Sequence, residues 1–126
     1  MNIPGNLKYT KDHEWIKLDG DEAVIGITDY AQGELGDIVF VEIETLGENL
    51  GQGDIFGSIE AVKTVSDLFM PAGGEVIEVN DAINDTPELI NTDPFGEGWL
   101  IKIKLEDTAQ LDSLLDAEQY KAQVES

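Results

Sequence analysis

Between Asp54 and Met70 the sequence reads DIFGSIEAVKTVSDLFM, 17 residues with no proline, no asparagine and no glycine after Gly57. Strands in globular proteins run to about five or six residues, so this stretch has to bend or be a helix. Ile55, Ile59 and Val62 do fall at helical spacing. Val62, Thr64 and Val65, however, are β-branched, lose side-chain freedom in a helix and suit a pleated strand. The run is therefore read as two strands folded over a tight turn near its middle, where Lys63 stands. An acid flanks the lysine on either side, Glu60 and Asp67.

The segments around this hairpin carry the same β signature. Glu14 to Leu18 and Glu22 to Ile27 read as strands joined by the turn Asp19 to Asp21. TDYAQGELG then predicts a short helix with Thr28 as its N-cap, Ala31 and Leu35 on one face and Gly36 as its stop. DIVFVEIE, from Asp37, is a strand, and TLGENLGQG after it a glycine-punctuated loop. Gly51, Gly53 and Gly57 do not make a dinucleotide fingerprint, because the third glycine would fall at position 56, which is Phe56, and no long helix follows.

After the turn Pro71 to Gly74 comes EVIEVN, a further strand. GDIVFVE at 36–42 and GEVIEVN at 74–80 echo one another, as two similar halves of a sandwich would, with the Lys63 turn between them. A connection over 81–98 follows, in which Pro87 can start a helical turn. WLIKIKL then predicts a closing strand with Trp99, Ile101, Ile103 and Leu105 on one face and Lys102 and Lys104 on the other. Asp107, with Gln110 three residues on, caps a C-terminal helix over about 107–122, whose Leu111, Leu114 and Leu115 pack on the sandwich.

One domain over 1–126 fits this length. The formal charge of −20 comes from 27 acids against seven lysines, with no arginine. That argues against nucleic-acid binding and against anionic membranes, and it can steer association with basic patches on partner proteins. There is no cysteine and a single histidine, His13, so thiolate chemistry and multi-histidine zinc sites are excluded. The first residues contain neither an apolar signal core nor a basic amphipathic presequence. The expectation is a soluble, cytoplasmic bacterial protein, with a processed organellar form fitting as well.

The ordinary reading of a turn lysine is a solvating charge. Here the turn lacks Asn-Gly or Asp-Gly chemistry and frames the cation with β-branched residues that hold it at a stiff tip. An exposed lysine amine is a poor base or nucleophile at neutral pH, so catalysis by Lys63 is not expected. What such an amine can do is accept an acyl group and root a prosthetic arm, the group-carrier role of lipoamide and biotin.

FGSIEAVKTVSDLFMPAGGEVIEVN, residues 56–80, resembles the lipoyl hairpin of the glycine cleavage system H proteins, in which the lysine of a Glu-Ser-Val-Lys-like motif carries lipoate. LKYTKDHEWI at 7–16, GITDYAQGELGDIVFVEI at 26–43, PELINTDPFGEGWLIKIK at 87–104 and LDSLLDAEQY at 111–120 resemble H-protein segments too. The last three have no counterpart in the shorter lipoyl domains of 2-oxo-acid dehydrogenases. The resemblance implies a mostly β barrel-sandwich hybrid with an N-terminal hairpin, a short helix and a C-terminal helix, the lipoyl hairpin lying over about 54–70. It further implies a non-enzymatic, monomeric carrier with lipoate covalently attached at Lys63 by a lipoate-attaching enzyme. Such a carrier takes an aminomethyl group from a pyridoxal-phosphate glycine decarboxylase to an aminomethyltransferase, and dihydrolipoamide dehydrogenase then reoxidises it. Glu14 and Asp67 match acids that the family places near the cleft receiving the arm, while His13 is expected to be structural. Ala61 and Gly73 depart from the family's common residues without touching the lysine, and Asp12, where some members have serine, alters the pocket. The rivals are a biotinyl or other lipoyl domain, although biotinyl domains flank their lysine with methionines where this chain has Val62 and Thr64, and an acidic interaction module whose lysine stays unmodified.

Overall fold

A computed structural model describes residues 3–125. The N-terminal hairpin forms as its sequence predicts: β2 (Glu14–Asp19) and β3 (Glu22–Ile27) pair antiparallel, and Gly20 in the connecting turn takes a positive φ of 67°. A two-residue strand ahead of it, β1 (Lys8–Tyr9), adds to the edge of β2. The helix α1 (Asp29–Leu35) also matches its signals. Thr28 is extended, with Oγ1 accepting from the Ala31 N–H, and Gly36 ends the helix at φ 80°.

The strands divide between two antiparallel sheets. One has the order β1-β2-β3-β9-β8-β5, where β5 is Asn49–Leu50, β8 is Gly74–Val79 and β9 is Ile101–Leu105. The other has the order β4-β6-β7, where β4 is Ile38–Glu42, β6 is Ile55–Ala61 and β7 is Val65–Phe69. The 17-residue run is thus the hairpin β6–β7, turning over Val62 to Thr64. The echoing segments fall one in each sheet, as β4 and β8. The sheets do not close into a barrel; they face one another over a common core.

That core takes Ile25, Val76, Ile101 and Ile103 from the larger sheet and Val41, Phe56, Ile59 and Leu68 from the smaller. Each such side chain contributes about 1.5–3 kcal/mol by leaving water. On β9, Ile101 and Ile103 point into the core and Lys102 and Lys104 outward. Trp99 departs from the expected alternation. It precedes the strand and joins a second cluster with Tyr9, Trp15 and Tyr120. Trp15 pairs with Gly26 across the hairpin, and the indole lies so close that a Cβ at Gly26 would sit 2.6 Å from its ring atoms.

The expected helix over 107–122 is two pieces. A 3-10 helix spans Thr108–Ser113, and α4 spans Ala117–Glu125. The break is a tertiary effect: Leu115 exchanges backbone hydrogen bonds with Tyr9, both at 2.8 Å, which holds it extended. Asp116 then starts α4 by a reciprocal cap with Gln119, at 2.8 and 3.0 Å. Asp107 does cap the 3-10 turn, but Gln110 reaches away to accept from the Gly73 N–H at 2.6 Å. In the 81–98 connection, α2 (Ala82–Asp85) and α3 (Leu89–Thr92, just after Pro87) each bury one isoleucine, Ile83 and Ile90.

Candidate functional site

Strand pairing of β6 and β7 ends at Glu60 and Val65, with a last bond from the Ala61 N–H to the Thr64 carbonyl at 2.8 Å. Val62 in the turn and Val65 at the last strand pair stand 74% and 61% exposed, so apolar side chains flank Lys63 at the tip without covering it. The tip also rests on something outside the hairpin. The Val62 N–H donates to the Asp37 carbonyl at 3.0 Å, and the lysine stem crosses the end of α1, where a Cβ at Gly36 would come 3.3 Å from Lys63 Cε. Glycine there keeps the cradle open, and its positive φ suits a residue without a side chain.

A cleft of about 180 Å³ opens between α1 and the hairpin. Its floor includes Ile27, Leu35, Ile59 and Leu68, and Asp12, His13, Glu14, Glu34 and Asp67 line it as well. The structure therefore brings Glu14 and Asp67 to one cleft, with Asp12 beside them. Lys63 is not in its lining; it stands four residues beyond Asp67 along the hairpin, about 13 Å at the rise of a strand. A larger cleft of about 350 Å³ lies against Asp12 and Glu14 as well, walled by Phe69, Met70 and Leu114 among others.

The two acids differ in kind. Asp67 is exposed on the outer strand. Glu14 is only 2% exposed; its Oε2 accepts from the Phe69 N–H at 2.8 Å and its Oε1 from the Thr10 hydroxyl at 3.2 Å. Burial outweighs those two bonds, and with the charge of Asp12 adding to it, the carboxyl is pushed up from 4.5 to about 8. Glu14 thus keeps its proton at neutral pH, within easy reach of losing it when a cation approaches.

His13 sits at φ 69°, the one non-glycine with positive φ among the described residues. Its N–H and carbonyl are fixed by Thr10 and Thr28 at 3.1 and 3.0 Å, and burial lowers its pKa against the pull of Asp12 and Glu34. Nδ1 meets the Tyr120 hydroxyl at 2.9 Å, which also meets Thr28 Oγ1 at 2.6 Å. The buried support behind the cleft, in which Tyr120 of α4 and the N-cap Thr28 meet one another and hold the left-handed His13 of its lining, was not foreseen from the sequence. The aromatic spacing of His13 and Tyr120 gives no local signal, since they are 107 residues apart.

A lysine raised on a hairpin tip in a two-sheet sandwich, beside a small acidic cleft, is the frame of a carrier protein rather than an enzyme. The comparisons agree and narrow it. The family model "Glycine cleavage H-protein" matches residues 7–126. The chain is 64% identical to the glycine cleavage system H protein of Bacteroides fragilis and 51% identical to that of Staphylococcus haemolyticus, over 98% of both chains in each case. The crystal structure of the glycine cleavage system H protein from Mycobacterium marinum superposes with a TM-score of 0.90 at 42% identity, covering 98% of this chain and 100% of that one. The chain belongs to the glycine cleavage H-protein family.

Proposed function

We propose that the chain is the lipoyl-lysine shuttle of a glycine cleavage system, with lipoate in amide linkage to Lys63. The observation that carries the reading is the exposed tip amine, whose stem lies in a cradle that any side chain at position 36 would narrow. Bound there, lipoate supplies a disulfide that is reduced as it accepts an aminomethyl group and reoxidised after that group has moved on. The partners are then a pyridoxal-phosphate glycine decarboxylase, an aminomethyltransferase, dihydrolipoamide dehydrogenase and a lipoate-attaching enzyme. The whole chain acts as one carrier domain, as a monomer in the bacterial cytoplasm. No helix among the described residues is long and apolar enough to cross a membrane.

The chain's own residues do three things in this reading. Lys63 presents the arm at a high effective concentration to whichever enzyme is docked. The apolar floor of the cleft gives the carried group a place with little water. Glu14 and Asp67 complement an amine there: Asp67 offers charge, and Glu14 hands over the proton of its carboxyl and becomes the ammonium's partner, because a nearby cation favours the ionised carboxylate. The test is exchange of labelled bicarbonate into glycine by the decarboxylase. It should require the lipoate-treated chain and vanish with Lys63→Arg; exchange supported equally by the Arg variant would contradict the reading.

A further inference from the structure

We propose that Asn91 is a positioning residue for Lys63, holding the turn on which the hairpin tip rests and so setting how the amine is presented to the enzyme that acylates it. The inference rests on the reading of Lys63 as the lipoylated residue. The hairpin's own ladder stops at Ala61 and Thr64, and what fixes the tip further out is the α1–β4 turn: the Asp37 carbonyl takes the Val62 N–H, and Gly36 lies under the lysine stem. A carbonyl in the last turn of a helix has no intrahelical donor, so the turn needs an outside partner. Asn91 supplies it. Its Nδ2 donates to the Gly36 carbonyl at 2.8 Å and to Gln32 Oε1 at 3.0 Å, while its Oδ1 accepts from the Ile38 N–H at 2.9 Å.

One side chain thus ties the turn on both sides of Asp37, using both donors and one acceptor site of its amide. Asn91 is itself held, because its neighbour Ile90 is fully buried in the core. Gln32 is oriented too, donating to Asp29 Oδ1 at 2.8 Å. Aspartate has the shape of asparagine but donates nothing when ionised, so it would keep the Ile38 bond and lose the other two. None of the strand pairs of β4, β6 and β7 involves Asn91, so the hairpin survives its loss while the tip loosens. In the acylation, the Nζ–carbon bond forms as the acyl–oxygen bond of an activated lipoyl anhydride breaks. The leaving group departs with the electron pair, and Nζ loses a proton to solvent. A tip that spends less time in the competent pose raises the apparent KM in proportion. Losing hydrogen bonds of ordinary net strength corresponds to about a fivefold to tenfold change.

The test acylates the full chain with a lipoate–protein ligase, lipoate and ATP, comparing wild type with Asn91→Asp and with Gln32→Met, which removes one of the three Asn91 bonds together with the bond from Gln32 to Asp29. Amide exchange by NMR is followed in parallel. Expected are an Asn91→Asp KM raised about fivefold to tenfold at unchanged kcat, a smaller rise for Gln32→Met, and faster exchange at Val62 with Ile101 and Ile103 unchanged. Unchanged exchange at Val62, faster exchange there with unchanged KM, or acceleration of the core amides in step with Val62 would each overturn the inference. If the wild-type chain takes up no lipoyl group at Lys63, the reading of the lysine fails and this inference falls with it, an outcome distinguishable from all of the others.

Discussion

Replacing Glu14 by glutamine should change how stability depends on pH, and by an amount that follows from the buried carboxyl. The folded chain holds this group at about 8 against 4.5 ordinarily, so between those values it binds a proton that the unfolded chain has lost. A carboxyl raised in this way stabilises fully below pH 4.5, and its contribution drains away as pH climbs through 8. Each pH unit inside that window costs about 1.4 kcal/mol. Near pH 5 the unfolded group is still partly protonated, which leaves about 2–3 kcal/mol lost between pH 5 and pH 7. Glutamine is uncharged like the protonated form and its amide oxygen can keep the bond from the Phe69 N–H, so Glu14→Gln carries none of this dependence. The other acids repel one another in both chains, and the difference between the chains isolates position 14. Urea unfolding followed by tryptophan fluorescence at constant ionic strength, at pH 5, 6, 7 and 8, provides the measurement. The variant should gain on the wild type by about 2–3 kcal/mol from pH 5 to pH 7. Curves that stay parallel within about 0.5 kcal/mol would refute the claim that Glu14 is folded with its proton on.

Three other outcomes are expected. Lys63→Arg should leave stability within about 0.5 kcal/mol, since the side chain is exposed at a tip, while abolishing acylation; urea unfolding and mass spectrometry check the two halves. Gly26→Ala should cost about 2 kcal/mol or more, because its methyl would collide with the buried Trp15 ring, whose Nε1 is held by the Pro94 carbonyl at 3.0 Å; thermal unfolding reads the loss. Docking of the chain on the decarboxylase should weaken as salt shortens the Debye length from about 10 Å at 0.1 M to about 3 Å at 1 M. Uncharged free lipoamide should show no such change, and equal salt sensitivity of the two would mean that the charge of −20 serves solubility alone.

What the sequence disclosed was what local rules govern. A 17-residue β-branched run must bend, a threonine before a short apolar period caps a helix, and a glycine after it takes the left-handed stop; the hairpin, α1 and the tip lysine were legible for those reasons. The features that were not legible are made by partners distant in the chain. Leu115 is extended because Tyr9 pairs with it, which splits a helix that periodicity alone would continue. Trp99 leaves the β9 alternation because an aromatic cluster beneath α4 receives it. Glu14 was visible as an acid of the family pattern, but its protonation depends on burial that no neighbouring residue announces. Asn91 lies in an unremarkable INTD stretch and gains its meaning only from the turn it meets 55 residues away.

The proposed shuttle role requires that Lys63 alone among the seven lysines carry the prosthetic arm. Intact-mass measurement of the chain produced in lipoate-replete cells, followed by peptide mapping, addresses it most directly. A mass increase of one lipoyl group is expected, located on the peptide containing Lys63 and absent from Lys63→Arg. An unmodified chain, a biotinyl mass increase, or a lipoyl group on Lys102, Lys104 or any other lysine would contradict it.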